Sequence, residues 1–307
     1  MCDAARLGSV PVMPETSRTP ARPSVADTLR DIATRFAAAG IPDPRVDAEL
    51  LLAHVLSTSR GGVQAAAIRG DRLDEDAVVE LPGLVDRRCA REPLQHLTGV
   101  APFRSLELAV GPGVFVPRPE TEMVAQLAID ALAAAASPSP VAVDLGTGSG
   151  AIALALATEV PRARVYAAEN SVEAFIWAKD NAARIGAENL TLAFVDLADA
   201  FLELDGTVSV VASNPPYVPD DAIPRDPEVQ RYDPPAALYG GPDGLDAVRV
   251  LSRVGLRLAH PGGTIVIEHG EWQGAAIRDI LAADGWRAAA THPDLTTRDR
   301  ATTAIRP

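Results

Sequence analysis

From residue 141 the chain reads VAVDLGTGSGAIALALA: an apolar run, an acid, glycines at 146, 148 and 150, then a second apolar run. No other stretch limits the fold so tightly. Glycine takes positive φ without steric penalty, so spaced glycines between two apolar segments mark a tight strand-to-helix turn. Four more apolar segments follow at ARVYAAE, LTLAFVD, VSVVASN and GTIVIEHG, with helical stretches between most of them. Apolar strands that alternate with helices imply an α/β domain whose parallel sheet is covered on both faces. The terminal WRAAATHPDLTTRDRATTAIRP is expected to supply paired edge strands that close the sheet.

Upstream the pattern changes. Residues 1–23 are rich in Pro, Arg, Ser and Thr without periodicity, and are expected to form a disordered extension. SVADTLRDIATRFAAAG has a Ser cap, apolar residues at helical spacing (Val25, Leu29, Ile32, Phe36) and a stop at Gly40. PDPRVDAELLLAHVLS repeats the scheme with Val46, Leu50, Leu51 and Val55. LDEDAVVELPGLVDRRCARE reads as a third helix that Pro82 kinks or splits, its acids on a solvated face. Residues 24–93 therefore read as a small helical domain and 94–120 as a β-hairpin linker. Residues 121–307 read as the sheet domain, with a helix starting near Thr121 and Glu122.

The formal net charge is −13, from 28 Lys and Arg against 41 Asp and Glu. Phosphate contacts supply most nucleic-acid affinity, so this balance favours a protein or small-molecule substrate over duplex DNA. Cys2 and Cys89 make neither a disulfide framework nor a metal cluster, and the five histidines lack ligand spacing. No metal is expected, and a reducing cytoplasm fits the cysteine usage. No apolar run reaches signal-peptide or membrane-spanning length.

GTGSGA satisfies the dinucleotide-binding fingerprint as well as the Gly-x-Gly-x-Gly of S-adenosylmethionine enzymes. In either case the new helix offers N–H groups to its guest, and Glu169, ending the second strand, is placed for ribose hydroxyls. The loop alone leaves the two cofactors open. Asp144 leans toward the methyl donor, since a carboxylate before the loop can orient a cationic sulfonium. Asp196 ends the third strand where an acid can accept from an adenine amino group, or simply cap the next helix.

The fourth strand ends in SNPPYVP. Proline lacks an N–H and fixes φ, so the segment is stiff, continues no ladder and leaves carbonyls uncommitted. This suits a planar amide or aryl-amine nitrogen, whose delocalised lone pair makes it a poor nucleophile. If the Asn214 side-chain oxygen and the Pro215 carbonyl each accept one N–H, the nitrogen is held with its lone pair free to meet a methyl group. Tyr217 packs over the substrate plane. Catalysis is then mostly positioning plus polar stabilisation. The bland alternative is a turn built of turn-formers. Hydride transfer has no use for a double amide-hydrogen acceptor.

EPLQHLTG, FVPRPETE, DLGTGSGAIALALA, SNPPYVP, YDPPAALYGGPDGLDAVRVL and IEHGEWQG stand in this order along the chain. In these blocks, from about residue 24 onward, the chain resembles the HemK/PrmC family of protein-(glutamine-N5) methyltransferases. NPPY alone is shared with amino-methylating DNA and RNA enzymes; PRPETE and the linker blocks are more specific. The resemblance implies a Rossmann-like, S-adenosylmethionine-dependent methyltransferase domain and a helical domain that helps hold a peptide chain release factor. It implies cofactor binding by Gly146, Thr147, Gly148, Ser149, Gly150 and Glu169, with Asp196, Leu197 and Asn214 contributing. Asn214, Pro215, Pro216 and Tyr217 would receive the glutamine of a Gly-Gly-Gln tip. Phe115 would line the same cleft, braced by Arg118 and Glu120, and Asp233 stands where Glu is frequent. Family members can carry an aromatic residue at the position of Leu197.

Other readings compete. A sister activity methylates a glutamine of a ribosomal protein; another methylates adenine in DNA or RNA, against which the acidic balance counts. A non-catalytic partner that binds the cofactor only to stay folded is a third. A monomer is expected, because a large protein substrate must reach the cleft. His269 is expected to be structural.

Overall fold

A computed structural model describes residues 22–307. The expected extension lies outside these residues except for Arg22 and Pro23. Arg22 pairs with Glu75 at 2.5 Å, and the Pro23 carbonyl accepts from Leu73 N at 3.1 Å. The described residues form two compact units, one ending at Cys89 and one beginning at Ala90.

The first unit holds α1 (Val25–Ala38), α2 (Pro44–Val55), α3 (Arg60–Arg69) and α4 (Glu75–Cys89). Ser24 caps α1 through Asp27 N, and Val25, Leu29, Ile32 and Phe36 are buried, as their spacing predicts. In α2 the expected apolar stripe is displaced: Leu50 is exposed, and Glu49 is buried beside Leu51 and Leu52. The carboxylate survives there because Arg45 Nε, Arg60 Nε and Gln64 Nε2 donate to it at 2.9, 2.7 and 2.9 Å. Two of those donors lie on α3, a helix the sequence pattern does not announce: RGGVQAAAIR carries two glycines and buries only Val63. Pro82 does not split α4, which runs unbroken from Glu75 to Cys89. Pro82 lies on the exposed side of α4, where water can serve the carbonyl that loses its helical donor.

The second unit starts with α5 (Leu94–Thr98), the antiparallel hairpin β1 (Val100–Phe103) and β2 (Leu106–Ala109), and α6 (Thr121–Ala134). Next come β3 (Val141–Leu145), α7 (Ala151–Glu159), β4 (Arg164–Glu169), α8 (Val172–Ile185), β5 (Leu190–Phe194) and β6 (Val208–Ser213). The short α9 (Pro227–Tyr232) and α10 (Pro235–Leu238) precede α11 (Asp246–Leu258) and β7 (Ala259–Glu268). The chain finishes with α12 (Gly274–Asp284), β8 (Arg287–Pro293) and β9 (Asp299–Ile305).

Seven strands form one sheet in the order β5-β4-β3-β6-β7-β9-β8. The first five run parallel; β9 is antiparallel to both β7 and β8, the edge pair the terminal segment was expected to supply. Strand residues alternate between two cores. Ala142, Val210, Ala212 and Val266 pack with α6 and α7, whereas Val143, Val211, Ile265 and Ile267 pack with α11, α12 and Trp286. The chain winds outward from β3 through β4 to β5, then returns to place β6 on the other side of β3. Outside the carboxyl ends of the strands at such a reversal an open α/β sheet has its ligand crevice.

Candidate active site

A cavity of about 480 Å³ opens at that crevice, within the range typical of small-molecule sites. Its wall includes Gly146, Thr147, Gly148, Ser149, Glu169, Leu197, Asn214, Pro216, Tyr217 and Phe115. Gly150, Asp196 and Pro215, also expected at the site, are not among the lining residues.

The glycine loop has positive φ at all three glycines, 75°, 59° and 88°. Gly148 N donates to Glu169 Oε2 at 2.8 Å, while Asn170 N and Ser171 N donate to Oε1 at 2.9 and 2.8 Å. Backbone donors thus hold the Glu169 carboxylate against the cavity wall. Asp144 is fully buried beneath the loop. Its Oδ2 accepts from Thr147 Oγ1 at 2.6 Å and Ala153 N at 3.1 Å; its Oδ1 has no partner among the described residues. Burial pushes its carboxyl up to about 7, against the pull of those two donors and with added repulsion from Glu169. An unspent buried oxygen beside an open cavity is relieved by a guest that brings positive charge or a donor.

Asp196 takes the capping role. Its oxygens accept from Ala198 N at 2.9 Å and Asn170 Nδ2 at 3.0 Å, and Leu197, the next residue, faces the cavity instead.

Beyond the loop, Ser213 Oγ ties the end of β6 to the Leu145 carbonyl at 2.6 Å. Asn214 Nδ2 donates to Thr121 Oγ1 at 3.3 Å. Among the described residues no donor reaches Asn214 Oδ1 or the Pro215 carbonyl oxygen. The rest of the segment is held from behind. Gln273 Nε2 donates to the Tyr217 carbonyl at 2.9 Å, Val218 N to Leu238 at 2.8 Å, and Gly240 N to Val218 at 2.9 Å. Gly244, at φ +73°, sits so close that a Cβ there would overlap the Tyr217 carbonyl. Burial lifts the Tyr217 hydroxyl to about 12, so the phenol stays neutral.

Arg118 Nη2 pairs with Asp233 Oδ2 at 2.6 Å and its guanidinium lies 4.9 Å over the Phe115 ring, joining three expected residues in one brace. Burial raises the Asp233 carboxyl while Arg118 pulls it back.

Thr121, Glu268 and Arg300, which no sequence motif marks as site residues, also line the cavity. Glu268 ends β7 beside the Asn214 edge of β6, and its Oε2 is buried without a partner among the described residues. An acid closing an apolar strand was the available signal. His269 is indeed a buried structural group, bonded to Thr302 Oγ1 at 2.9 Å and the Gly270 carbonyl at 2.8 Å. Among the described residues no cluster of three His, Cys, Asp or Glu is placed to hold a metal, and no helix is long and apolar enough to cross a membrane.

Residues 27–99 match the PrmC N-terminal domain and residues 105–226 the methyltransferase small domain. The chain is similar to the release factor glutamine methyltransferase of Streptomyces coelicolor: 48% identical over 272 residues, 88% of this chain and 94% of that protein. The chain belongs to the release factor glutamine methyltransferase family. Within reach of this family stands a relative with a different name, the 4-amino-L-phenylalanine/4-methylamino-L-phenylalanine methyltransferase of Streptomyces pristinaespiralis. It is 37% identical over 294 residues, 94% of this chain and 97% of that protein. The fold of the family's sheet domain is shared more widely. The hMettl16 catalytic domain, solved with an RNA hairpin, superposes with a TM-score of 0.52 at 15% identity, over 64% of this chain and 75% of that one.

Proposed function

We propose that this protein transfers a methyl group from S-adenosylmethionine to the side-chain nitrogen of the glutamine in the Gly-Gly-Gln motif of peptide chain release factors. The observation that carries the reading is the pair of uncommitted oxygens, Asn214 Oδ1 and the Pro215 carbonyl, on a stiff segment beside a glycine-lined cavity. S-adenosylmethionine, when bound, supplies an electrophilic methyl group on a cationic sulfur. The cavity residues fit it: Asp144 Oδ1 is an unspent buried acceptor, Gly146–Ser149 leave room for close approach, and Glu169 is set for ribose hydroxyls.

The protein's own part is chiefly geometry. Asn214 and Pro215 take the two amide N–H groups, which fixes the carboxamide plane and leaves the nitrogen lone pair pointing along the attack line. Tyr217 covers the plane, and Phe115, stiffened by Arg118, closes the side. As the N–C bond forms, the methyl–sulfur bond would break and leave a neutral thioether, the acceptor oxygens stabilise the charge that develops on nitrogen, and its surplus proton passes to solvent.

The Streptomyces pristinaespiralis relative favours a second reading, in which the held nitrogen belongs to a small aryl amine. One experiment separates the two. The protein is incubated with labelled methyl donor and either a purified release factor or 4-amino-L-phenylalanine, and the products are mapped by mass spectrometry. Label on the Gly-Gly-Gln glutamine is expected; its absence there would refute the reading, and label on the aryl amine instead would establish the second.

A further inference from the structure

The two ends of an asparagine carboxamide are nearly the same shape. Turned by half a rotation, Asn214 would offer Nδ2, a donor, to a substrate nitrogen that is itself a donor. Something must hold the right end outward. The contact at hand is Thr121 Oγ1, 3.3 Å from Asn214 Nδ2. A hydroxyl, however, donates as readily as it accepts, and a proton aimed at Asn214 would bind Oδ1 equally well. Thr121 therefore specifies the orientation only if its own proton is drawn away.

A group placed to draw it faces Thr121 from the neighbouring strand. Glu268 ends β7, one strand across from Asn214, and is only 2% exposed. Its Oε2 is buried without a partner among the described residues, and it shares the cavity wall with Thr121 and Asn214. We propose that Glu268 is a positioning residue for methyl transfer: its carboxylate accepts the Thr121 hydroxyl proton, so that Thr121 can only accept from Asn214 Nδ2, and Asn214 Oδ1 is left facing the substrate.

The device works in one protonation state. Burial raises the Glu268 carboxyl to about 7, against the Thr121 hydroxyl and the Arg300 guanidinium and with repulsion from Glu120; Tyr217, which also faces it, stays neutral. Above that pH the carboxylate accepts. Below it, the protonated acid can donate to Thr121, which frees the hydroxyl to donate to Asn214 and reverses the sense of the chain.

This inference rests on the proposed methyl transfer. Its test is turnover on a release factor at saturating methyl donor, as a function of pH, for the parent, Glu268→Gln, Thr121→Val and Thr121→Ser. Glu268→Gln and Thr121→Val are expected to lower kcat about tenfold at alkaline pH, less than the roughly 10² to 10³ that follows loss of a transition-state hydrogen-bond partner itself, because both residues act through Asn214. Cofactor Kd and Tm should stay near the parent's, and Thr121→Ser should retain most activity. The acid limb of kcat near pH 7 should vanish in Glu268→Gln. Parent-like kcat and an unchanged limb in Glu268→Gln would overturn the proposal, as would a loss that tracks a fall in Tm. The Asn214 side-chain amide resonance in the free protein gives a readout independent of activity. It should shift through about pH 7 in the parent and not in Glu268→Gln, and a pH-independent resonance in the parent would also overturn the proposal. If the parent transfers no methyl to a release factor, the functional reading fails while this titration still decides the present one.

Discussion

In the proposed reaction Asn214 and Asp144 carry the two halves of the chemistry, and each yields an expectation. Asn214→Ala removes an acceptor on which the nitrogen depends in the transition state, so kcat should fall on the order of 10² to 10³ with the fold intact. Steady-state kinetics alongside a thermal melt checks it. Asp144 in the ligand-free protein is pushed up to about 7 by burial. A cationic guest favours the carboxylate, so affinity for the methyl donor should strengthen as pH rises through about 7 and level off above it. Calorimetry across that range should show the rise in the parent and a flat response in Asp144→Asn. Both residues were legible in the sequence because each sits in a contiguous string whose local geometry is nearly dictated, a glycine turn in one case and a proline pair in the other. Glu268 and Thr121 were not. They lie 147 positions apart in the chain, and only the placement of β7 beside β6, with α6 starting across their ends, brings them together.

Among the elements, the segment after β6 is the one whose stiffness matters most, and its support comes from YGGPDG and Gln273. Gly244→Ala adds a Cβ where the Tyr217 carbonyl already sits, at a positive φ that L side chains resist. The strain, about 1–3 kcal/mol, should loosen the segment and lower turnover while the cofactor Kd holds. Loss of kcat with unchanged donor binding would show it; parent-like turnover would mean the segment is braced elsewhere. In the first unit the sheet-free packing turns on α2. Glu49→Ala strands Gln64 and two arginines around an empty polar site, so stability should drop by about 1–3 kcal/mol in a urea titration. Burial works against the Glu49 carboxylate, but Arg60, Gln64 and Arg45 prevail and hold it below the usual range. Its stabilising share is therefore present at neutral pH and is lost as pH falls through that lowered value. Apolar spacing revealed α1 because a single stripe is buried there. It placed α2 but not its buried stripe, where a charged residue takes the inward position, and it missed α3, which buries almost nothing of its own.

At the scale of the whole molecule, the parallel strands could be foreseen, since strands buried on two faces leave continuous apolar runs, and so could a pair of strands at the edge, though not their antiparallel sense. The helical unit shows through more faintly, because short helices signal mainly by the stripe they bury. In the proposed reaction one glutamine of a release factor has to reach a cavity of about 480 Å³, and everything proposed for the chemistry depends on how that amide is held. The most direct measurement is a crystal structure with the demethylated cofactor and a Gly-Gly-Gln peptide. The glutamine nitrogen should lie within hydrogen-bonding distance of both Asn214 Oδ1 and the Pro215 carbonyl oxygen, facing the cofactor sulfur. A nitrogen bound elsewhere, with those two oxygens turned to water or to other protein groups, would contradict the account.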